Sequence, residues 1–189
     1  MQYISSNQKT YFHQAVISLV NNSDEKGDFI FKVDAHQGAV KSLRNQSNGV
    51  ADVAGLYFVF IEHSEPNDLH SFIINQNPYS LIYFGKAGQK SDGTHVKQKL
   101  KGRINNVVSV ASRNLKDINR GEYWKIILDE LSKDKFLIVW MKSNESCVSD
   151  EKSIYDALNQ GNLEYPYLNK RLGRPNLSSS NLLADFCLE

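Results

Sequence analysis

A mixed α/β (α+β) domain, a small sheet flanked by helices, is predicted by three observations. Three apolar runs have strand length: GLYFVFI from Gly55, SLIYFG from Ser80 and KFLIVWMK from Lys135. Around them, apolar residues recur at helical spacing. With 189 residues, 41% of them apolar and 11% aromatic, the chain suits one core with decorations.

In chain order, Phe12, Val16, Leu19 and Val20 lie on one face of a helix ending near Asn22, with Ser6 or Asn7 placed to cap it. DFIFKV, Asp28 to Val33, reads as a short strand, and Ala35 to Asn45 as a small helix before the turn-like QSNG. Residues 1–53 therefore form an N-terminal extension that packs on the core or grips a target or a second subunit. GLYFVFI is apolar on both faces, as a central strand is. Glu62 to Tyr79 is a polar link with the apolar SFII inside it, so an inserted loop or an extra strand is expected there.

After SLIYFG, Thr94 is a good N-cap for a helix reaching about Ala111. Val96, Leu100, Ile104, Val107, Val108 and Ala111 form its apolar stripe, and Arg103, seven positions after Val96, falls within it. Lys97, Lys99 and Lys101 can face water, whereas a guanidinium at the inward edge needs an anion: a phosphate, an internal carboxylate, or water reached by snorkelling. Trp124, Ile127, Leu128 and Leu131 mark a second helix over about Gly121 to Ser132. SDEKSIYDAL reads as a helix after the third strand, capped by Ser149 or Asp150, with Glu151 in a first turn that favours acids. Beyond it, Lys170, Arg171 and Arg174 form the densest basic cluster, SSSN reads as a linker, and LLADFCL as a short apolar helix docking on the core.

Composition narrows the function classes. Lys and Arg total 22 against 21 Asp and Glu, so the molecule has almost no net field with which to draw a polyanion, and a nucleic-acid site has to be a local basic patch. Cys147 and Cys187 make no CxxC pair and no histidine stands at metal-finger spacing, which indicates neither a disulfide framework nor a zinc site. The N-terminus MQYISSNQKTYF lacks a leader pattern and no run approaches ~18 apolar residues, so a soluble, cytoplasmic protein without a membrane partner is expected.

Gly55-Leu56-Tyr57 and Tyr83-Phe84-Gly85-Lys86-Ala87 resemble the paired signatures of the GIY-YIG nucleases. The resemblance spans about Ala54 to Asn169 and implies a core, residues 54–169, with a central three-stranded antiparallel sheet, leaving 170–189 as a tail. Tyr57 matches the first tyrosine of the family, Tyr83 and Gly85 the second signature, Arg103 followed by Ile104 the helix arginine, and Glu151 the glutamate after the third strand. Pro166, Leu168 and Asn169 are similar to the closing Pro-x-x-Asn. Each signature is short, but five elements in order on the right predicted structures are hard to obtain by chance. The chain departs from the pattern in its spacings and in carrying Val107 where many members have His or Tyr; His95 or Tyr83 is left as a substitute, and His95 reads equally as a loop histidine.

The resemblance implies hydrolysis of a phosphodiester. Tyr57 would accept the proton of the attacking water, helped by cations such as Lys86 or Arg103, and Arg103 would hold a nonbridging oxygen. Glu151 would bind one Mg2+ (or Mn2+) that stabilises the departing 3′ oxygen. Asn169 would orient the site and Tyr83 position water or phosphate. A short chain with enlarged loops resembles the Type II restriction enzymes of that family, which implies double-stranded DNA as substrate and, to cut both strands, a homodimer. Asn67, Asn75, Gln76, Asn77, Gln89 and Lys90 in the inserts are of types able to read base edges. A structure-specific repair or phage-related nuclease, a non-cleaving DNA-binding module, and RNA as substrate stay open.

Overall fold

The computed structural model describes residues 3–62, 69–108 and 118–172, and is built on a six-stranded antiparallel sheet with helices on both faces. Its strands are β1 (Ile4–Ser5), β2 (Lys26–Lys32), β3 (Gly55–Glu62), β4 (Ser71–Ile74), β5 (Asn77–Ala87) and β8 (Lys135–Lys142), in the order β1-β4-β5-β3-β8-β2. The short pair β6 (Val107–Val108) and β7 (Ile118–Asn119) forms a separate ladder. The three strands read from the sequence lie side by side at the centre, but the sheet has twice the expected number. SFII becomes β4, the N-terminal residues supply β1 and β2, and DFIFKV pairs along β8 as part of a strand from Lys26 to Lys32.

Among the described residues there are six helices: α1 (Tyr11–Asn22), α2 (Gly38–Gln46), α3 (Leu100–Ile104), α4 (Arg120–Glu130), α5 (Cys147–Gln160) and α6 (Tyr167–Leu172). None is long and apolar enough to cross a membrane. α1 is capped by Thr10, whose hydroxyl accepts the His13 N–H, rather than by Ser6 or Asn7. α5 starts at Cys147 with Ser146 as its cap, so Asp150, not Glu151, is the acid of the first turn. The helix expected from Thr94 is only α3, because residues 88–98 turn back on themselves as a hairpin arm; Ala111 lies outside the described residues.

Strand alternation sends side chains to two cores. Leu56, Phe58, Phe60 and Val139 meet Phe12 and Val16 of α1 and Ile154 and Leu158 of α5 on one face. Tyr57, Val59 and Ile138 meet Leu43 of α2 and Trp124 and Ile127 of α4 on the other. A β-bulge modifies the alternation. Val59 stands opposite Tyr83 but Phe60 opposite Leu81, so Ile82 is an extra residue, and Ile82 and Tyr83 both face the α2–α4 core. From Gly55 to Val59 the ladder runs in unbroken register with Ala87 to Tyr83, and this turns Tyr83 to the same face as Tyr57.

The strand edges are closed by side-chain amides. β4 covers β5 only to Ser80, and beyond it Asn169 takes the place of a strand: its Oδ1 accepts the Phe84 N–H and its Nδ2 donates to the Phe84 carbonyl, both at 2.9 Å. Gln46 treats Lys32 of β2 the same way, at 3.0 and 2.8 Å, and Asn21 does so for Ile4 of β1, at 3.2 and 2.9 Å.

Candidate active-site cleft

At the C-terminal end of β5 an open cleft of about 350 Å³ collects side chains from both faces of the sheet. Tyr83, Gly85, Lys86, Arg103 and Glu151 line it, with Gln89, Lys90 and Gln98 from the arm. Alternation after the bulge turns Tyr83 to one face and Lys86 to the other, where α5 brings Glu151. Arg103 arrives on α3, whose first N–H, that of Leu100, is tied to the Val53 carbonyl at 3.0 Å, just before β3.

On one wall the two tyrosines are stacked in depth. Tyr83 forms part of the cleft, while Tyr57 is 1% exposed and lies behind it, its hydroxyl donating to that of Tyr83 over 3.4 Å with ring centroids 5.6 Å apart. Gly85, opposite Tyr57 on the neighbouring strand, leaves the space they need: a methyl group there would come within 2.7 Å of the Tyr83 hydroxyl oxygen. Burial pushes the Tyr83 phenol well above the usual tyrosine range, and the adjacent Tyr57 adds to this; Arg120 and Arg103 oppose it.

On the other wall Lys86 donates to the Glu151 carboxylate in an ion pair whose side chains are 19% and 17% exposed. Below it Cys147 is fully buried, its thiol donating to the Ala87 carbonyl at 3.2 Å, and burial pushes that thiol up, away from reactivity. The donor set for a cation in the cleft is one carboxylate, Glu151; among the described residues no group of three or more His, Cys, Asp or Glu could hold a metal ion. A single hard oxygen donor beside open space suits a Mg2+-like ion that takes its remaining ligands from water and a phosphate, and does not suit a cage made by protein alone.

Four of the six residues singled out from the sequence thus share one cleft: Tyr83, Lys86, Arg103 and Glu151. Tyr57 is one side chain behind. Asn169 does not line the cleft; it is buried against the Phe84 backbone and the Tyr155 hydroxyl, so it positions β5 and touches nothing that could bind there. His95 is exposed on the arm and pairs with Gln89 across it. Asn75 and Gln76 form the tight turn between β4 and β5 with φ of 50° and 67°, the conformation of a two-residue hairpin. Asn67, Arg174, the SSSN linker and LLADFCL fall outside the described residues.

Sequence reasoning missed Arg120. It opens α4, is 4% exposed, and stacks its guanidinium over Trp124 and Tyr123 at 5.4 and 5.7 Å from the ring centres. Trp124 in turn lies against Tyr83, centroids 5.9 Å apart. The Nε of Arg120 has no hydrogen-bond partner among the described residues. A signal was available: a cation at the first position of a helix opposes the helix dipole, so a reason other than helix stability is needed for it.

Compared with family models, curated proteins and solved structures, the chain matches none.

Proposed function

We propose that this chain is a metal-dependent endodeoxyribonuclease with a GIY-YIG core, cutting both strands of DNA in the manner of a Type II restriction enzyme and acting as a dimer. The observation that carries the reading is the meeting of Tyr83, Lys86, Arg103 and Glu151 in one cleft, from positions spread over 68 residues of sequence (151 − 83) and from both faces of the sheet. Packing alone gives no reason for a tyrosine, an arginine and a lysine–glutamate pair to converge on open space.

In this reading Arg103 holds a nonbridging phosphate oxygen through its forked donors. The attacking water sits at the Tyr83 hydroxyl, and the base is the pair carrying one phenolate, on Tyr57: the water's proton passes to the Tyr83 oxygen as the Tyr83 proton moves on to Tyr57, which leaves hydroxide at the phosphate and a neutral pair. Arg103 and Arg120 supply the positive field that favours the one negative charge before the water gives up its proton. Lys86 fixes the rotamer of Glu151, the residue that would hold Mg2+ or Mn2+; such an ion supplies charge neutralisation at the departing 3′ oxygen. Asn169 keeps β5, and with it Tyr83 and Lys86, in register.

The test is incubation of purified protein with phage and plasmid DNA, in Mg2+ or in EDTA, beside Glu151→Ala and Tyr57→Phe. Discrete fragments that vanish in EDTA and in both variants are expected. Nicking or smearing without a fixed pattern replaces restriction with a structure-specific nuclease, and DNA left intact by all three proteins removes the catalytic reading.

A further inference from the structure

We propose that the hairpin arm from Gly88 to Gln98 is a preformed grip for the sugar-phosphate backbone of duplex DNA, holding phosphates without reading bases. The proposal rests on the polyanion substrate inferred above. Residues 86–103 contain six of the chain's 22 cations and a single carboxylate, Asp92, in a molecule whose charges taken together nearly cancel. The local basic patch that composition demands of a nucleic-acid site is therefore present, and it forms one lip of the cleft.

Asp92 does not neutralise it. Its carboxylate accepts the Thr94 N–H at 2.9 Å and ties the turn at the tip of the arm. Lys99 lies 3.9 Å from Asp52, and Lys101 donates to the Asn48 carbonyl at 3.1 Å. Lys90 and Lys97 are exposed and have no ion pair among the described residues.

The arm is tied both to itself and to its neighbours. Its strands are joined by Gly88 N–H to Gln98 O at 3.0 Å, Val96 N–H to Gly88 O at 2.9 Å and Lys90 N–H to Thr94 O at 2.9 Å. Gly88, at φ +99°, presses so closely on Ala54 that a methyl group there would come within 2.4 Å of the Ala54 Cβ. Gln89 pins the arm to the start of α5, its Oε1 accepting from the Ser146 hydroxyl at 3.1 Å and the Cys147 thiol at 3.3 Å. The amide oxygen of Gln89 is thereby engaged by the protein itself. The arm's outward charges are Lys90 and Lys97, which stand beside the short side chains Ser91 and Thr94 and beside His95, and a lysine is a point charge that serves phosphates of any sequence. A DNA strand lying along this lip meets Lys90 and, in the cleft, Arg103.

The experiment is fluorescence anisotropy of labelled duplexes in EDTA, where cleavage does not intervene, as a function of NaCl. Against wild type, Lys90→Ala/Lys97→Ala is expected to flatten the plot of log affinity against log salt by about 1.8, ~0.9 for each phosphate no longer neutralised, and by the same amount on unrelated sequences. Lys9→Ala/Lys133→Ala, removing two exposed lysines elsewhere, is expected to leave the slope unchanged. Gln89→Ala, which frees the arm, weakens binding at constant slope. An unchanged slope in the arm variant overturns the proposal, as does a weakening confined to one sequence. Binding with the expected slopes but no cleavage in Mg2+ sinks the nuclease reading and leaves the grip standing; failure of wild type to bind any duplex overturns both.

Discussion

The face of the sheet under α1 and α5 buries Leu56, Phe58, Phe60, Phe72, Phe84 and Met141 without a lysine or arginine among them, whereas the face under α2 and α4 buries Tyr57, Tyr83 and the guanidinium of Arg120. Both faces carry aromatics of similar bulk. Hydroxyls and a cation add desolvation cost without adding apolar area, so the second face gives up stability that the first retains. The difference separates a largely apolar surface, which gives the cleft the Lys86–Glu151 pair at its end, from one that gives it the tyrosines.

Substitutions on the two faces should divide accordingly. The largest effect is expected from Phe58→Ala on the face under α1 and α5, a destabilisation of about 3–5 kcal/mol for a fully buried aromatic, read from the urea midpoint. Tyr83→Phe on the other face should cost under ~1 kcal/mol, because the hydroxyl interaction it removes is long, yet lower cleavage by about 100-fold or more. Equal destabilisation at Phe58 and Tyr83 would erase the distinction. Arg120→Met sharpens it further: an apolar side chain of similar length removes a buried cation whose Nε has no partner among the described residues, at the loss of its stacking on Trp124 and Tyr123, so the melting temperature should change by no more than a few degrees while cleavage falls. The smallest effect concerns pH. The folded Tyr83 phenol is held above its ordinary value, so the folded chain keeps a proton that the unfolded chain releases near pH ~10. Stability is full below that pH and declines as pH rises above it. Urea midpoints between roughly pH 9 and 11 should therefore fall more steeply in wild type than in Tyr83→Phe.

How much of this is legible in the sequence depends on how local the cause is. β8 is expected from Lys135 to Lys142 and occupies those residues, because eight consecutive residues rich in strand formers need no partner to be recognised. The second half of the arm reads as helix for a definite reason. Val96, Leu100 and Ile104 are four apart, an interval that spans two repeats of a strand and about one turn of a helix, so both periods fit. The structure uses an extended arm up to Leu100 and helix after it. The bulge at Ile82 leaves no mark in the residue pattern, because it exists only in the register with β3, and with it the shared facing of Ile82 and Tyr83 is hidden. Glu151 stands out through a family resemblance and not through its spacing, whereas Arg103 is marked both by the resemblance and by its place seven positions after Val96. The buried role of Asn169 is invisible because its partner, the Phe84 backbone, is 85 residues away.

The amides at Asn21, Gln46 and Asn169 give the fold a chemical lifetime as well as a shape. Each answers one backbone N–H with oxygen and the same residue's carbonyl with nitrogen. Spontaneous release of that nitrogen as ammonia leaves a carboxylate, which can only accept, facing a carbonyl that can only accept. Such ageing at Asn169 would set two oxygens against each other at the strand that carries Tyr83 and Lys86, while the same event at Gln46 would loosen only the rim of the sheet. One amide nitrogen exchanged for oxygen by hydrolysis, nearly silent in mass, would thus reach the cleft from 85 residues away.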